Sequence, residues 1–394
     1  MNCRICNSKL LNKFLNLRNQ PWANKYPKNP LEIFTEEKYG MQIFICNNCL
    51  TVQLGTILSR NRMFEDYYYL SSVNQKLVKH FNSLAKKIRL NEFVVDIGSN
   101  DGILLEPLIK KGVKAIGVDP SKNVGKIANK KGLKTLIGFF NSKIVKKIIN
   151  EYEKADVIIA SSIFTHLNDP LGFIENCRDL LKNDGRLIIE IEYIADLIKN
   201  IEFERFYFDR PFYYSINSII LLCKKVNMYL TDIEKLDIHG SSVRLIIKKH
   251  KKNTKYNKIQ SILKKEKLIL NKKNLNIFNK LILKEAKKLK SNLENFKKNN
   301  KKVIGYGSPA RLATITNFCK INNQLIECII EDSPLKQNKF TPGMHIPILG
   351  IDDVNINNYQ VIIVFAYEYF EDIKKKINNK NLKYYKPIPF KHLR

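Results

Sequence analysis

The sequence has no run approaching the roughly 20 consecutive apolar residues that a membrane-spanning helix needs. Its opening stretch, MNCRICNSKLLNKF, lacks the apolar core and small-residue cleavage site of an export signal. A cytoplasmic protein with no membrane partner is the expectation. Negative charge is scarce: 37 acidic residues face 68 lysines and arginines, a formal charge of +31. That excess admits an anionic partner such as nucleic acid. However, lysine and asparagine are scattered along the whole chain and are not interleaved with aromatics in one patch, the pattern of a solvated surface. Nucleic acid is not an expected partner. Nothing sets an oligomeric state, and a monomer is expected. With 394 residues, 44% of them hydrophobic, the chain can fold two or three domains.

Cysteine is present but unevenly used. Four of the eight fall in two tight pairs, Cys3/Cys6 and Cys46/Cys49. Without an export signal, paired C-x2-C motifs point to metal rather than disulfides. Four thiolates make a closed tetrahedral set, so the ion is expected to be structural zinc with no open catalytic position. Cys177, Cys223, Cys319 and Cys328 lie in apolar segments and read as core thiols. This zinc module occupies residues 1 to about 75. It ends in MFEDYYYLSSVNQ, whose aromatics suit either a clamp onto the next domain or a lid over a ligand.

Residues 76 to 250 alternate strand and helix, with strands at FVVDI, KAIGVD, KTLIG, DVIIAS and GRLIIEIE. The alternation predicts a doubly wound parallel sheet with its ligand beyond the carboxyl ends of the strands, closed by VRLIIKKH. Residues 251 to 394 open with a lysine-rich linker helix whose apolar face is Ile282, Ala286, Leu289, Leu293 and Phe296. A smaller Rossmann-like α/β unit follows, built on KKVIGYGSPARLATITNF, LIECIIED and QVIIVFAYEYFEDIKKK.

The glycine loop after the first of these strands is not the G-x-G-x-x-G of a dinucleotide site. It reads D-I-G-S-N-D-G, and Asp96 and Asp101 would set negative charge against a phosphate. S-adenosylmethionine has no phosphate, and its ammonium and sulfonium groups favour nearby carboxylates. Gly98 and Gly102 would let the backbone approach it closely. Asp119 ends the next strand, about 20 residues on, where a carboxylate reads ribose hydroxyls. Phe139, in GFFN after the third strand, is placed to flank adenine. The fold class is therefore α/β: a class I methyltransferase domain flanked by the zinc module and the smaller Rossmann-like domain.

Several stretches together resemble a known family: the zinc cysteines, YYYLSS, VVDIGSNDG, FTHLNDP, IEIEY and HGSSVR, and above all GYGSPARLAT and EDSPLKQNKFTPGMHIPI. The chain resembles, over essentially its whole length, the three-domain sugar C-methyltransferases, which methylate carbon 3 of nucleotide-linked 4-keto-deoxysugars for antibiotic and surface-polysaccharide sugars. The resemblance implies that Asp96, Gly98, Asn100 and Asp119 bind the methyl donor, and that the C-terminal domain helps hold the sugar nucleotide. Its chemistry requires a base to remove the carbon-3 proton and a donor facing the enolate oxygen.

One family feature is missing. Where the family carries a Tyr-x-Glu-His cluster, this chain reads FERFYFDRPFYYS: Tyr207 and Asp209 match, but Arg210 replaces the histidine. A guanidinium cannot accept a proton at any working pH. Three routes stay open. His166 in FTHLNDP matches a family histidine and could be the base, with Arg210 stabilising the enolate. Tyr207 could be the base, its pKa lowered by the adjacent cation. Or the reaction has changed to methylation of a hydroxyl or amine. His239 in HGSSVR either lines the site or packs structurally. The competing readings are a non-catalytic sugar-nucleotide-binding relative and an RNA methyltransferase. The latter lacks its Asn-Pro-Pro-aromatic element, because the fourth strand ends SSIFTH.

Overall fold

The computed structural model describes residues 1–60, 63, 70–238, 240, 242–379 and 381–394. The aromatic stretch Phe64–Tyr69 and His239, both singled out above, lie outside the described residues.

Strands β1 (Leu11–Pro21), β2 (Lys38–Cys46) and β3 (Val52–Leu54) form an antiparallel meander. Along β1, buried Leu15 and Leu17 alternate with exposed Asn16 and Arg18, so one face turns to the core. The two C-x2-C turns are built alike. Asn7 N donates to Cys3 O and Leu50 N to Cys46 O, both at 2.8 Å, and Asn7 and Leu50 share a left-handed φ of 61°. Like turns aim their thiols at each other. Cys3 and Cys49 Sγ are 3.5 Å apart, Cys6 and Cys46 Sγ 3.6 Å, and all four lie within 4.8 Å of one another. Zinc bonded at about 2.3 Å in a tetrahedron holds its sulfurs roughly 3.8 Å apart, so this set fits the ion.

The second sheet is parallel through β4 (Val94–Ile97), β5 (Ala115–Asp119), β6 (Thr135–Ile137), β7 (Ala155–Ser161) and β8 (Leu181–Glu192), in the order β6-β5-β4-β7-β8. The unbroken Val/Ile/Leu runs arise because helices cover both faces; every residue of β4 is buried. Helix starts follow local chemistry: Asp169 accepts from Gly172 N ahead of Pro170 in the first turn of Pro170–Leu180. The chain then leaves this sheet, and β9 (Phe212–Tyr213) pairs with β3 to complete the zinc module's sheet as its fourth strand. Strands β10 (Tyr229–Leu236) and β11 (Ser242–Lys248) extend the second sheet, β11 lying antiparallel to β8. VRLIIKKH therefore does not close the sheet. The half-exposed β10 takes the edge, its polar residues obscuring it in a search for apolar runs.

The helix Lys272–Lys298 buries Ile282, Leu289 and Leu293 as expected, keeps Ala286 and Phe296 partly buried, and extends the face back to Leu275 and Phe278. The third sheet contains β12 (Val303–Tyr306), β13 (Ile329–Ile330), β14 (Lys339–Phe340), β15 (Pro347–Leu349), β16 (Val361–Val364), β17 (Lys383–Lys386) and β18 (Lys391–Leu393), in the order β14-β15-β13-β12-β16-β17-β18. Its five central strands are parallel and its two edges antiparallel. No helix among the described residues is long and apolar enough to cross a membrane.

The zinc module docks on this third unit. Tyr26 Oη donates to Ser308 O at 2.7 Å, Phe340 N to Pro27 O at 2.8 Å, and both Glu36 carboxylate oxygens accept from Gly343 N at 2.9 Å. His345 Nε2 meets the same Glu36 at 2.8 Å. Replacing Cys46 with alanine should abolish stoichiometric zinc by metal analysis and cost on the order of 4 kcal/mol in chemical denaturation, the scale of losing a structural metal. Because none of the four thiols lines the cavity described below, methyl-donor affinity at low temperature should fall far less than stability does.

Candidate active site

The carboxyl ends of β4, β5, β7 and β8 and those of β12, β13 and β16 line one cavity of about 850 Å³. Ligand sites commonly measure about 300–1,000 Å³. Asn24 and Arg60 of the zinc module complete the wall.

At one end lies the glycine loop. Gly98 adopts φ +75°, and a Cβ there would strike Ile163 at 2.3 Å, so no other residue fits. Asp119, at the end of β5, is fixed by two backbone donors: Asn100 N on Oδ2 and Ser121 N on Oδ1, each at 2.9 Å. A carboxylate has about four lone-pair sites, so Asp119 can still accept from hydroxyls. Asp96 is buried beside it; burial first, then the Asp119 and Glu190 carboxylates, push it up to about 8. Phe139 lines the wall, with the Arg60 guanidinium 5.1 Å from its ring centre. Asp101 and Gly102 do not line the cavity, against expectation. The Asp101 carboxylate accepts from Ser72 Oγ and sits 3.7 Å from Lys131, and the open side of Gly102 faces Leu133, where a Cβ would come within 2.3 Å. Both stabilise the turn.

The other end is built on segment 202–210, whose aromatics anchor it: Phe203, Phe206 and Phe208 are almost fully buried. His166 follows β7 in a short 3-10 turn, and its Nδ1–H donates to Asp209 O at 2.6 Å, which makes Nε2 the lone-pair nitrogen. Burial, then Arg210, push His166 down to about 3, so the ring is neutral at working pH. Arg210 lines the cavity, donates through Nη1 to Glu192 at the end of β8, and lies 4.8 Å over the Tyr207 ring. Its Nε is buried with no hydrogen-bond partner.

Two readings meet opposing geometry here. One of the three open routes makes Tyr207 a base acidified by its cation. Burial instead drives its pKa up, outweighing the opposing pull of Arg210. Asp209 was assigned with the catalytic group, but its carboxylate accepts from Asn24 Nδ2 at 2.5 Å and does not line the cavity; its backbone carbonyl holds His166.

Sequence reading missed Glu192, Arg205, Arg311 and Glu368, all of which line the cavity. Glu192 and Arg205 pair at 3.2 Å, and Glu368 bridges Arg205 and Arg311 at 2.5 and 3.0 Å. The paired carboxylates of IEIEY, period two on one strand, were the available signal. Below them, Glu190 meets His80 at 2.9 Å and Arg244 at 2.6 Å; burial raises its pKa, but these partners hold it at about 2.

The state of Asp96 has a measurable consequence. Its carboxyl is protonated below pH 8 in the free protein, and a cationic ligand prefers the anion. Affinity for S-adenosylmethionine should therefore rise from pH 6 to pH 8 and level off, with a proton released on binding. Calorimetry in buffers of different ionisation heat reads that proton directly, and Asp96→Asn should abolish the release. Asp119→Asn should weaken binding by about 1.5–3 kcal/mol, the scale of a hydrogen bond to a charged group.

Comparisons with known proteins divide the chain in three. Residues 3–64 match a zinc binding domain, residues 69–233 a methyltransferase domain, and residues 237–389 the C-methyltransferase C-terminal domain. The C-methyltransferase NovU of Streptomyces niveus is 22% identical over 98% of this chain and 95% of its own length. The ubiquinone biosynthesis O-methyltransferase of Pelagibacter ubique is 28% identical over 33% of this chain and 52% of its own. Among solved structures, magnesium protoporphyrin IX methyltransferase from Synechocystis PCC 6803 aligns with a TM-score of 0.35 at 16% identity, over 43% of this chain and 82% of that one. The chain carries a zinc-binding domain, a methyltransferase domain and a C-methyltransferase C-terminal domain in one polypeptide, and is an S-adenosylmethionine-dependent methyltransferase.

Proposed function

We propose that the protein methylates carbon 3 of a nucleotide-linked 4-keto-deoxysugar through an enolate. The observation that carries the substrate class is Arg311. Its Nε and Nη1 are buried without a hydrogen-bond partner at the start of helix Ala310–Cys319, and Ser308 Oγ, three residues earlier, is likewise unpartnered. Buried guanidinium donors at a helix N-terminus suit a diphosphate. These groups line the same cavity as Asp96 and Asp119, so an acceptor anchored there reaches toward the methyl donor. Its relative NovU is also described as a C-methyltransferase.

Asp96, Gly98, Asn100 and Asp119 would hold S-adenosylmethionine, which supplies an electrophilic methyl group when bound. This chain's own residues do the rest. His166 Nε2 accepts the carbon-3 proton, its tautomer set by the Asp209 carbonyl. Arg210 Nε–H donates to the oxygen that becomes negative. His166 is a weak base in the free protein because of its burial and, second, because of Arg210; charge developing beside Arg210 offsets the second of these.

Because His166 is held at about 3, kcat/KM for the sugar, measured at saturating S-adenosylmethionine so that Asp96 does not contribute, should show no acid limb near pH 6.5, where an ordinary histidine would produce one. Arg210→Ala and His166→Ala should each lower turnover on the order of a hundredfold or more, with methyl-donor affinity intact by calorimetry. The deciding experiment is exchange of the carbon-3 proton into heavy water, with a panel of nucleotide-linked 4-keto sugars and no methyl donor. Exchange lost in His166→Ala supports the mechanism. If no sugar exchanges or is methylated and Arg210→Ala is silent, a hydroxyl-directed, amine-directed or purely binding role takes its place.

A further inference from the structure

Five side chains form a connected series along the cavity wall, with Glu202 joined to Arg205 Nε at 2.9 Å as a side branch. Arg311 Nη2 donates to Glu368 Oε2 at 3.0 Å, and Glu368 Oε1 accepts from Arg205 Nη2 at 2.5 Å. Arg205 Nη1 donates to Glu192 Oε1 at 3.2 Å, and Glu192 Oε2 accepts from Arg210 Nη1. Charge alternates at every step. Four members are buried and Glu368 is 15% exposed, so water screens the line poorly. Both ends keep unpartnered buried donors, Nε and Nη1 on Arg311 and Nε on Arg210. Arg311 and Glu368 belong to the third-sheet unit; the other three belong to the methyltransferase unit.

In such a line each carboxylate is shared between two cations, and strengthening one contact weakens the next. An anion on Arg311 draws that guanidinium off Glu368. Glu368 then turns more of its charge to Arg205, Arg205 relaxes its hold on Glu192, and Glu192 tightens on Arg210. Four contacts put the Arg210 pair on the tightening side. We propose that Glu368 is a positioning residue: a diphosphate seated on Arg311 fixes, through Glu368, Arg205 and Glu192, the orientation in which Arg210 presents Nε–H to the reacting sugar. The inference rests on the sugar-nucleotide reading above and adds that filling the nucleotide end prepares the methyl-transfer end.

The test uses the full zinc-loaded chain labelled with 15N-arginine, with the side-chain Nε–H signal of Arg210 assigned by Arg210→Lys. Thymidine diphosphate, uridine diphosphate and inorganic pyrophosphate are the probes. Saturating a probe that binds should shift and sharpen the Arg210 signal in the wild type. Glu368→Gln should still bind that probe within about tenfold, having lost no donor to it, while its Arg210 signal stays still; Glu368→Asp, which keeps the charge, should restore part of the response. A probe that binds yet leaves Arg210 unmoved in the wild type, or moves it equally in Glu368→Gln, overturns the ladder and leaves the substrate class standing. The wild-type arm decides this even if Glu368→Gln does not fold. If none of the three probes binds, the ladder and the sugar-nucleotide reading fall together.

Discussion

A parallel sheet opens a ligand site only at the carboxyl ends of its strands, where the connecting loops diverge. This chain has two such sheets, and both turn those ends into the same cavity. Asp96, Asp119, Ser161 and Glu192 arrive from one sheet; Tyr306, Glu331 and Ala366 arrive from the other. Everything functional follows from that opposition. In the proposed reaction a methyl donor on one side would face an acceptor on the other. The zinc module contributes by holding the arrangement, through Tyr26 and Glu36 on the third unit and Asn24 on the segment that carries Arg210.

Local chemistry made much of this legible. The apolar runs marked strands because β4 through β8 are covered on both faces, and the D-I-G-S-N-D-G loop puts Asp96, Gly98 and Asn100 in the cavity wall. The paired cysteines predicted a convergence that the four thiols show. Legibility failed where long-range packing decides. Asp101 and Asp119 look alike in sequence, yet backbone donors hold Asp119 in the cavity wall while Ser72 and Lys131 draw Asp101 away. The edge strand β10 was hidden by its polar residues. Glu368 and Arg311 are 163 and 106 residues from Arg205, so nothing near Arg205 in the sequence signals their pairing.

The arginine at position 210 shows how a substitution that looks disabling can be accommodated. A buried guanidinium is costly unless paired. Glu192 sits two residues beyond Glu190 on the same strand, so both project from one face of β8. One anchors His80 and Arg244 in the core; the other reaches the cavity and takes Arg205 and Arg210. The site thus carries a fixed cation where a titrating imidazole would otherwise lie. In the proposed mechanism the proton acceptor is a different side chain, and the candidate is His166, held neutral with Nδ1 committed to a carbonyl.

The two-residue strand β9 has a consequence for where the chain can be cut. By lending Phe212 and Tyr213 to the zinc module's sheet, the methyltransferase unit supplies a rung that the module's own stretch of chain does not provide. Excised alone, the module would leave the outer side of β3 unpaired, an open strand of the kind that templates self-association. A fragment meant to behave as the native module therefore has to carry the Phe212–Tyr213 crossing with it.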